Sequence, residues 1–282
     1  MEQIRMSPGE KTPGDVERME QDKVIQGKLS QIKRKILVMS GKGGVGKSTV
    51  AAYVALLLSR RGKRVGLLDV DLHGPSIPRL LHVEGGLQAL PEEKTVHPYS
   101  WSENLKVVSI EMLLGDKDSA VIWRGPLKIS AIKQFISDIA WGELDYLVID
   151  SPPGTGDEPL TVVQMIPDAE ALIVTTPQEI SLADVRKSIS FCRQVNMTIL
   201  GMVENMSGFS CPHCQEKISL FGAGGGARTA KTMDVPMLGE IPLDPDIVQY
   251  GDQGNLTALA EAGGTVINQA YDRLLDRIEN KG

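Results

Sequence analysis

The stretch that most constrains this chain runs from Ile36 to Asp71, ILVMSGKGGVGKSTVAAYVALLLSRRGKRVGLLDVD. Its apolar opening, Ile36-Leu37-Val38-Met39, has the composition of a parallel strand buried on both faces. Gly41-Lys42-Gly43-Gly44-Val45-Gly46-Lys47-Ser48 follows at once and matches G-x-x-x-x-G-K-[ST], the phosphate-binding loop. Glycines permit positive φ, so that backbone N–H groups converge on phosphate oxygens. A helix starting near Lys47 adds the positive end of its dipole. In such a loop Lys47 reaches the β- and γ-phosphates of a nucleotide and the Ser48 hydroxyl ligates Mg²⁺. Val50, Tyr53, Val54, Leu57 and Leu58 are spaced for a helix over Thr49–Arg61, which Gly62 ends. Val65–Val70 reads as a second buried strand, completing a right-handed βαβ unit.

A chain of 282 residues has room for one large α/β domain or two smaller ones. Its 30 basic and 36 acidic residues leave a net charge of -6, which argues against nucleic acid as the main partner. No apolar run approaches the ~20 residues of a membrane span, and the polar start, MEQIRMSPGEKTPGDVERME, has no signal-peptide character. Three cysteines suit a reducing cytoplasm rather than a disulfide scaffold. Residues 1–34 read as a tail, disordered through Pro8, Gly9, Pro13 and Gly14, with a sparse amphipathic helix from Val16 to Lys35. Residues 35–282 read as one domain with a doubly wound, mainly parallel sheet.

Later segments repeat the strand-then-loop pattern. Asp69 and Asp71 close the second strand at i, i+2, on one face while the strand lasts. Glu84–Trp101 reads as a surface loop, Leu105–Ile110 as a strand, and Leu127–Ile139 as a helix with Pro126 in its first turn. Tyr146-Leu147-Val148-Ile149-Asp150 is an apolar strand ending in a carboxylate able to serve Mg²⁺. Ser151-Pro152-Pro153-Gly154-Thr155-Gly156-Asp157 makes a stiff loop whose N–H groups are suited to sensing a γ-phosphate. Strands are expected at Glu170–Thr175, Thr198–Glu204 and Met237–Ile241, and helices at Ser181–Val195 and Leu256–Ile278, the latter broken near Gly263-Gly264. Gly222–Gly226 reads as a flexible loop. Cys192 falls on the apolar face of its helix, whereas His82 and His97 have no partner spacing. Cys211-Pro212-His213-Cys214 brings two thiols to one point. The pair suits a redox couple, a structural zinc completed by His213 or Cys192, or a site shared by two chains, in which two cysteines from each supply four ligands.

GKGGVGKS, with Lys42 after the first glycine, resembles the deviant phosphate loop of the MinD, ParA and nitrogenase iron-protein group. That resemblance implies that Lys42 contacts nucleotide across a dimer interface, that Asp71 orients the attacking water and that Asp69 lies near the metal. GKGGVGKST at 41–49, DVDLHGPSIP at 69–78, SPPGTGD at 151–157, VENMS at 203–207 and CPHC at 211–214 together resemble the Mrp/ApbC family of iron–sulfur cluster carriers. The match runs from about Lys35 to Tyr250. It implies a homodimer that binds ATP at Gly41–Thr49, Asp150, Pro153 and Gly154. It also implies a labile [4Fe–4S] cluster at the interface on Cys211 and Cys214, passed to apo iron–sulfur proteins. Asn205 matches the family's adenine-contacting Asn, and Ile241-Pro242-Leu243-Asp244 the loop bordering the base. The alternatives are a MinD/ParA-like positioning ATPase, acting at a membrane or on DNA, and a zinc-bridged regulatory ATPase. CPHC, and a C-terminal helix that is not clearly basic, argue against the first.

Overall fold

A computed structural model describes residues 25–72, 74–90, 95–113, 125–211, 213–214 and 216–281. The tail read at residues 1–24, Trp123 and Arg124 lie outside them. Residues 25–29 are helical (α1), and β1 runs Ile32–Ser40. The chain continues through α2 (Lys47–Arg60), β2 (Val65–Asp69), α3 (Ile77–Leu80), β3 (Gln88–Leu90), β4 (Thr95–His97), β5 (Tyr99–Ser100) and β6 (Leu105–Ser109). Then come α4 (Gly125–Asp138), β7 (Leu144–Asp150), α5 (Asp157–Met165), β8 (Glu170–Thr175), α6 (Glu179–Gln194), β9 (Thr198–Ser210) and β10 (Lys217–Ile218). The last elements are α7 (Gly225–Thr232), β11 (Met237–Leu243), α8 (Pro245–Asp252), α9 (Leu256–Glu261) and α10 (Val266–Glu279).

The main sheet has nine strands in the order β10-β9-β8-β1-β7-β2-β6-β5, with β11 also on β9. Every pairing within it is parallel except β5 on β6 and β10 on β9. Helices cover both faces, as the continuous apolar strands require. Period-2 alternation divides each strand between two cores. Ile36, Val38, Val65 and Leu67 pack with α2, α9 and α10, while Leu37, Met39, Leu68 and Val70 pack with α4, α5 and α6. α2 is buried almost throughout because α9 and α10 lie over it, so its apolar residues surround the axis. β1 lies between β8 and β7, and the chain leaves it over β7 to reach β2. The carboxyl end of β1 is therefore a topological switch point, where α/β sheets open a binding crevice.

Several expectations are corrected. The boundary set at residue 35, and the helix drawn to Lys35, fall inside β1, which starts at Ile32 because Arg34 and Lys35 pair with Tyr146 and Leu147. Ile25 and Leu29 are buried among the core residues of the α4–α6 face. The expected loop Glu84–Trp101 contains three short strands; β5 extends the sheet, and the Trp101 Nε1–H donates to Leu81 O at 2.8 Å. β9 runs six residues past Glu204, to Ser210, because β11 and β10 supply ladder partners along that extension. Gly225 and Gly226 open α7 instead of a loop. Gly226 donates its N–H to the Glu204 carboxylate, and a Cβ there would meet Glu204 Oε2 at 2.6 Å.

Candidate functional site

The glycine loop joins β1 to α2 at the switch point. Gly44 and Gly46 take φ of 77° and 81°, the left-handed region that glycine enters without a Cβ clash. Close approaches fix the loop from two sides. A Cβ on Gly41 would sit 2.4 Å from the Asp184 carbonyl carbon of α6, and one on Gly46 would meet Asn205 Nδ2 at 2.2 Å. Asn205 Nδ2 donates to Val45 O at 2.9 Å. Gly41→Ala should therefore lower stability by about 1–3 kcal/mol through overpacking against backbone that cannot swing away. Unchanged thermal unfolding of that variant would refute the close approach.

Lys47 begins α2, yet only 6 % of it is exposed. Its Nζ lies 2.5 Å from Asp150 Oδ1, 3.7 Å from Asp71 Oδ2 and 3.3 Å from Ser48 Oγ. Asp150 and Asp69 end adjacent strands in register, and both are fully buried. Asp69 accepts from the Asp71 and Ile77 backbone N–H groups and from Ser109 Oγ. Burial, with the charge of Asp150 second, pushes the Asp69 carboxyl up to about 8. Burial also raises Asp150, against the pull of Lys47. Three carboxylates thus share one lysine, and Asp150 Oδ2 is buried with no hydrogen-bond partner. An excess of buried carboxylate oxygen beside a Ser hydroxyl fits Mg²⁺, a hard cation that prefers oxygen ligands.

Ser40, Lys42, Gly43, Gly44, Gly46, Lys47, Ser48, Thr49, Asp71, Gly74, Ser76 and Pro153 line a cleft of about 270 Å³. The structure thus gathers most of the expected residues at one opening, with Asp69 and Asp150 beneath it. Gly154 is close by, but its N–H already donates to Ser40 O at 2.9 Å, which pins the proline-rich loop to β1. Pro242 and Asp244 are not brought to this cleft. Pro242 lines a different cleft beside β9 and α10, and Asp244 caps α8 by accepting from the Asp246 N–H. Sequence reasoning passed over Asp184, Ser109, Ser76 and Glu204. Ser109 at a strand's carboxyl end was the readable signal, and Ser76 and Glu204 stand inside the motifs at 69–78 and 203–207; Asp184 acts through close packing that no motif encodes.

Cys211 and Cys214 lie on the turn between β9 and β10. Cys211 N–H donates to Glu216 O at 3.0 Å, closing the hairpin. Hydrogen bonds from the Cys214 and His213 backbone N–H groups, and then from the Cys214 side chain, lower the pKa of the Cys211 thiol. That arrangement favours the thiolate, the form that ligates metal. Cys211 is half-buried and Cys214 exposed, whereas Cys192 is fully buried against Met39. Cys211 and Cys214 thus place two thiols at the knuckle, and among the described residues no group of three or more His, Cys, Asp or Glu forms around them.

Residues 31–279 match the family model described as ParA, NUBPL iron-transfer P-loop NTPase. The chain belongs to that family of iron-transfer P-loop NTPases. An iron-sulfur cluster carrier protein of Methanocaldococcus jannaschii is 45% identical over 278 residues, covering 97% of this chain and 96% of the relative. The human cytosolic Fe-S cluster assembly factor NUBP2 is 47% identical over 241 residues, covering 81% of this chain and 86% of the relative. A nucleotide-binding protein of Archaeoglobus fulgidus, solved in complex with ADP, aligns at TM-score 0.73 and 43% identity, covering 83% of this chain and 92% of that one. The cell-division ATPase MinD of Pyrococcus furiosus aligns at TM-score 0.63 and 24% identity, a likeness of fold alone. No helix among the described residues of this iron-transfer NTPase is long and apolar enough to cross a membrane.

Proposed function

We propose that the chain is an ATP-dependent iron–sulfur cluster carrier of the cytoplasm. Two copies hold one [4Fe–4S] cluster between their Cys211 and Cys214 pairs and deliver it to apo iron–sulfur proteins. The observation that carries this is the thiol pair at the end of β9, turned into a knuckle by its own backbone N–H groups, on the strand that also braces the phosphate loop through Asn205. A two-fold axis beside the knuckle would complete four ligands. The relatives named as cluster carriers and assembly factors support the cargo. The positioning-ATPase alternative rests on a likeness of fold alone.

In this reading Lys47 leaves Asp150 for the β- and γ-phosphates, and Ser48 with Asp150 would hold Mg²⁺, which would supply shielding of phosphate charge. Asp71 orients the water that attacks the γ-phosphate, Asp69 steadies the turn carrying Asp71, and Lys42 reaches toward the second copy's nucleotide. Anaerobic reconstitution with iron and sulfide, followed by a metal count, tests the cargo. About four irons per dimer are expected from the two-plus-two ligand count; one zinc per chain with no iron uptake would favour a zinc-bridged regulatory ATPase instead.

The shared site carries its own prediction. Lys42 lines the cleft and has no ion pair among the described residues. Lys42→Ala should reduce hydrolysis while each chain still binds ATP. Mixing it with Asp71→Ala should recover part of the activity, since heterodimers regain one intact composite site. Failure to recover, with heterodimers demonstrated, would leave Lys42 without a role across the interface.

A further inference from the structure

Beside the cysteine knuckle lies a second cleft, about 480 Å³, between the β9–β10 hairpin and α10. Its lining includes Ser210, the residue before Cys211. One face of α10 is core: Ile267, Tyr271, Leu274, Leu275 and Ile278 are fully buried. Val266, Ala270, Arg273 and Arg277, at alternating spacings of four and three residues, form a second stripe that faces this cleft. Val266 is 60% exposed and Ile218, from the hairpin, 39%. Lys217 and Arg273 make no ion pair among the described residues. Arg277 places its guanidinium on the Leu238 and Met237 carbonyls, at 2.7 and 3.4 Å, and so keeps its charge unneutralised. Against three cations the lining holds one carboxylate, Glu240. In a chain of net charge -6 this is a local reversal of sign.

We propose that this cleft docks an acidic segment of the acceptor protein, with an apolar side chain set among its carboxylates. The role as acceptor rests on the carrier reading above. Guanidinium groups grip carboxylates through paired hydrogen bonds, and Val266 with Ile218 offers an anchor for one aliphatic side chain. Docking next to Cys211 holds the acceptor's own thiolates near the cargo, which raises their effective concentration for ligand exchange. A nucleic acid fits less well: its uniform phosphate charge meets Glu240, and it has no aliphatic group for the apolar anchor. A second copy of this chain also fits less well. A two-fold axis through the cleft would set one basic lining against the same basic lining.

Fluorescence anisotropy of a labelled peptide, one leucine flanked by glutamates, on the full-length dimer tests this. Wild type should bind it in a salt-dependent way. Lys217→Glu combined with Arg273→Glu should weaken binding by about tenfold or more, and Val266→Ser should weaken it at unchanged salt dependence. ATP affinity, iron loading and sedimentation should match wild type, which also guards against misfolding. Equal binding by the charge-reversed protein would overturn the proposal, as would an oligonucleotide that outcompetes the peptide. Loss of the dimer in that variant would overturn it too, assigning the cleft to the second copy. Iron loading of the same samples separates the two ideas. Wild type that binds peptide but no iron removes the carrier reading and keeps the acidic ligand; wild type that loads iron and ignores the peptide removes the docking cleft alone.

Discussion

Serine at Cys211 or at Cys214 should abolish iron loading and leave ATP affinity at the wild-type value. In the proposed dimer each chain would bring two thiols to the site, so either substitution would remove two of the four ligands of a shared cluster at once. Nothing in the phosphate loop changes. Asn205, which touches that loop, and Cys211 lie six positions apart along β9 and its end, on the order of 20 Å of extended chain. Cys192→Ala is the internal control. Its sulfur is fully buried against Met39 Sδ at 3.8 Å, and burial pushes the thiol up to about 11, away from the thiolate that a metal needs. That variant should load iron normally. Iron retained by the Cys214 variant, or lost from the Cys192 variant, would break the assignment.

The phosphate loop was legible because its chemistry and its fold impose the same residues: an apolar strand, positive-φ glycines at Gly44 and Gly46, then a lysine at a helix start. Asp69 and Asp150 were legible for a similar reason. Each ends an apolar run, and adjacent parallel strands in register bring such ends together. What stayed hidden depends on contacts between distant segments. Nothing in Thr198–Glu204 announces that β9 continues to Ser210; the continuation exists because β11 and β10 come to pair with it. Gly225 and Gly226 look like a flexible loop until Glu204, from β9, accepts the Gly226 N–H at the start of α7. The tail boundary failed in the same way, since Arg34 and Lys35 are strand residues by virtue of β7. Asn205 was placed by resemblance against a base; its amide also donates to the loop backbone at Val45, a contact the motif does not announce.

Lys47→Ala should do two separable things, and a second substitution tells them apart. The first is loss of ATP affinity, by about a hundredfold or more, because charge-assisted contacts to two phosphate groups vanish. The second appears without nucleotide. Lys47 is the cation 2.5 Å from a fully buried Asp150 and 3.7 Å from Asp71, and Asp69 adds a third carboxylate in register beside Asp150. Removing one partner of a buried pair leaves an uncompensated charge, a loss of about 3–5 kcal/mol. The sign of the pH dependence follows from the direction of the shifts. Asp69 and Asp150 both bind protons more tightly in the folded chain than in the unfolded one. Their contribution to stability is therefore greatest below pH ~4 and declines as pH rises toward the folded value, about 8 for Asp69. Without Lys47 that decline should steepen, so the metal-free variant should unfold at nearly the wild-type temperature in acid and well below it at neutral pH. Adding Asp150→Asn removes the buried charge. The double variant should regain most of the neutral-pH stability and none of the ATP affinity. If thermal scans show the single variant equally stable at both pH values, the Lys47–Asp150 pair does not hold this site together, and the lysine's only role is toward phosphate.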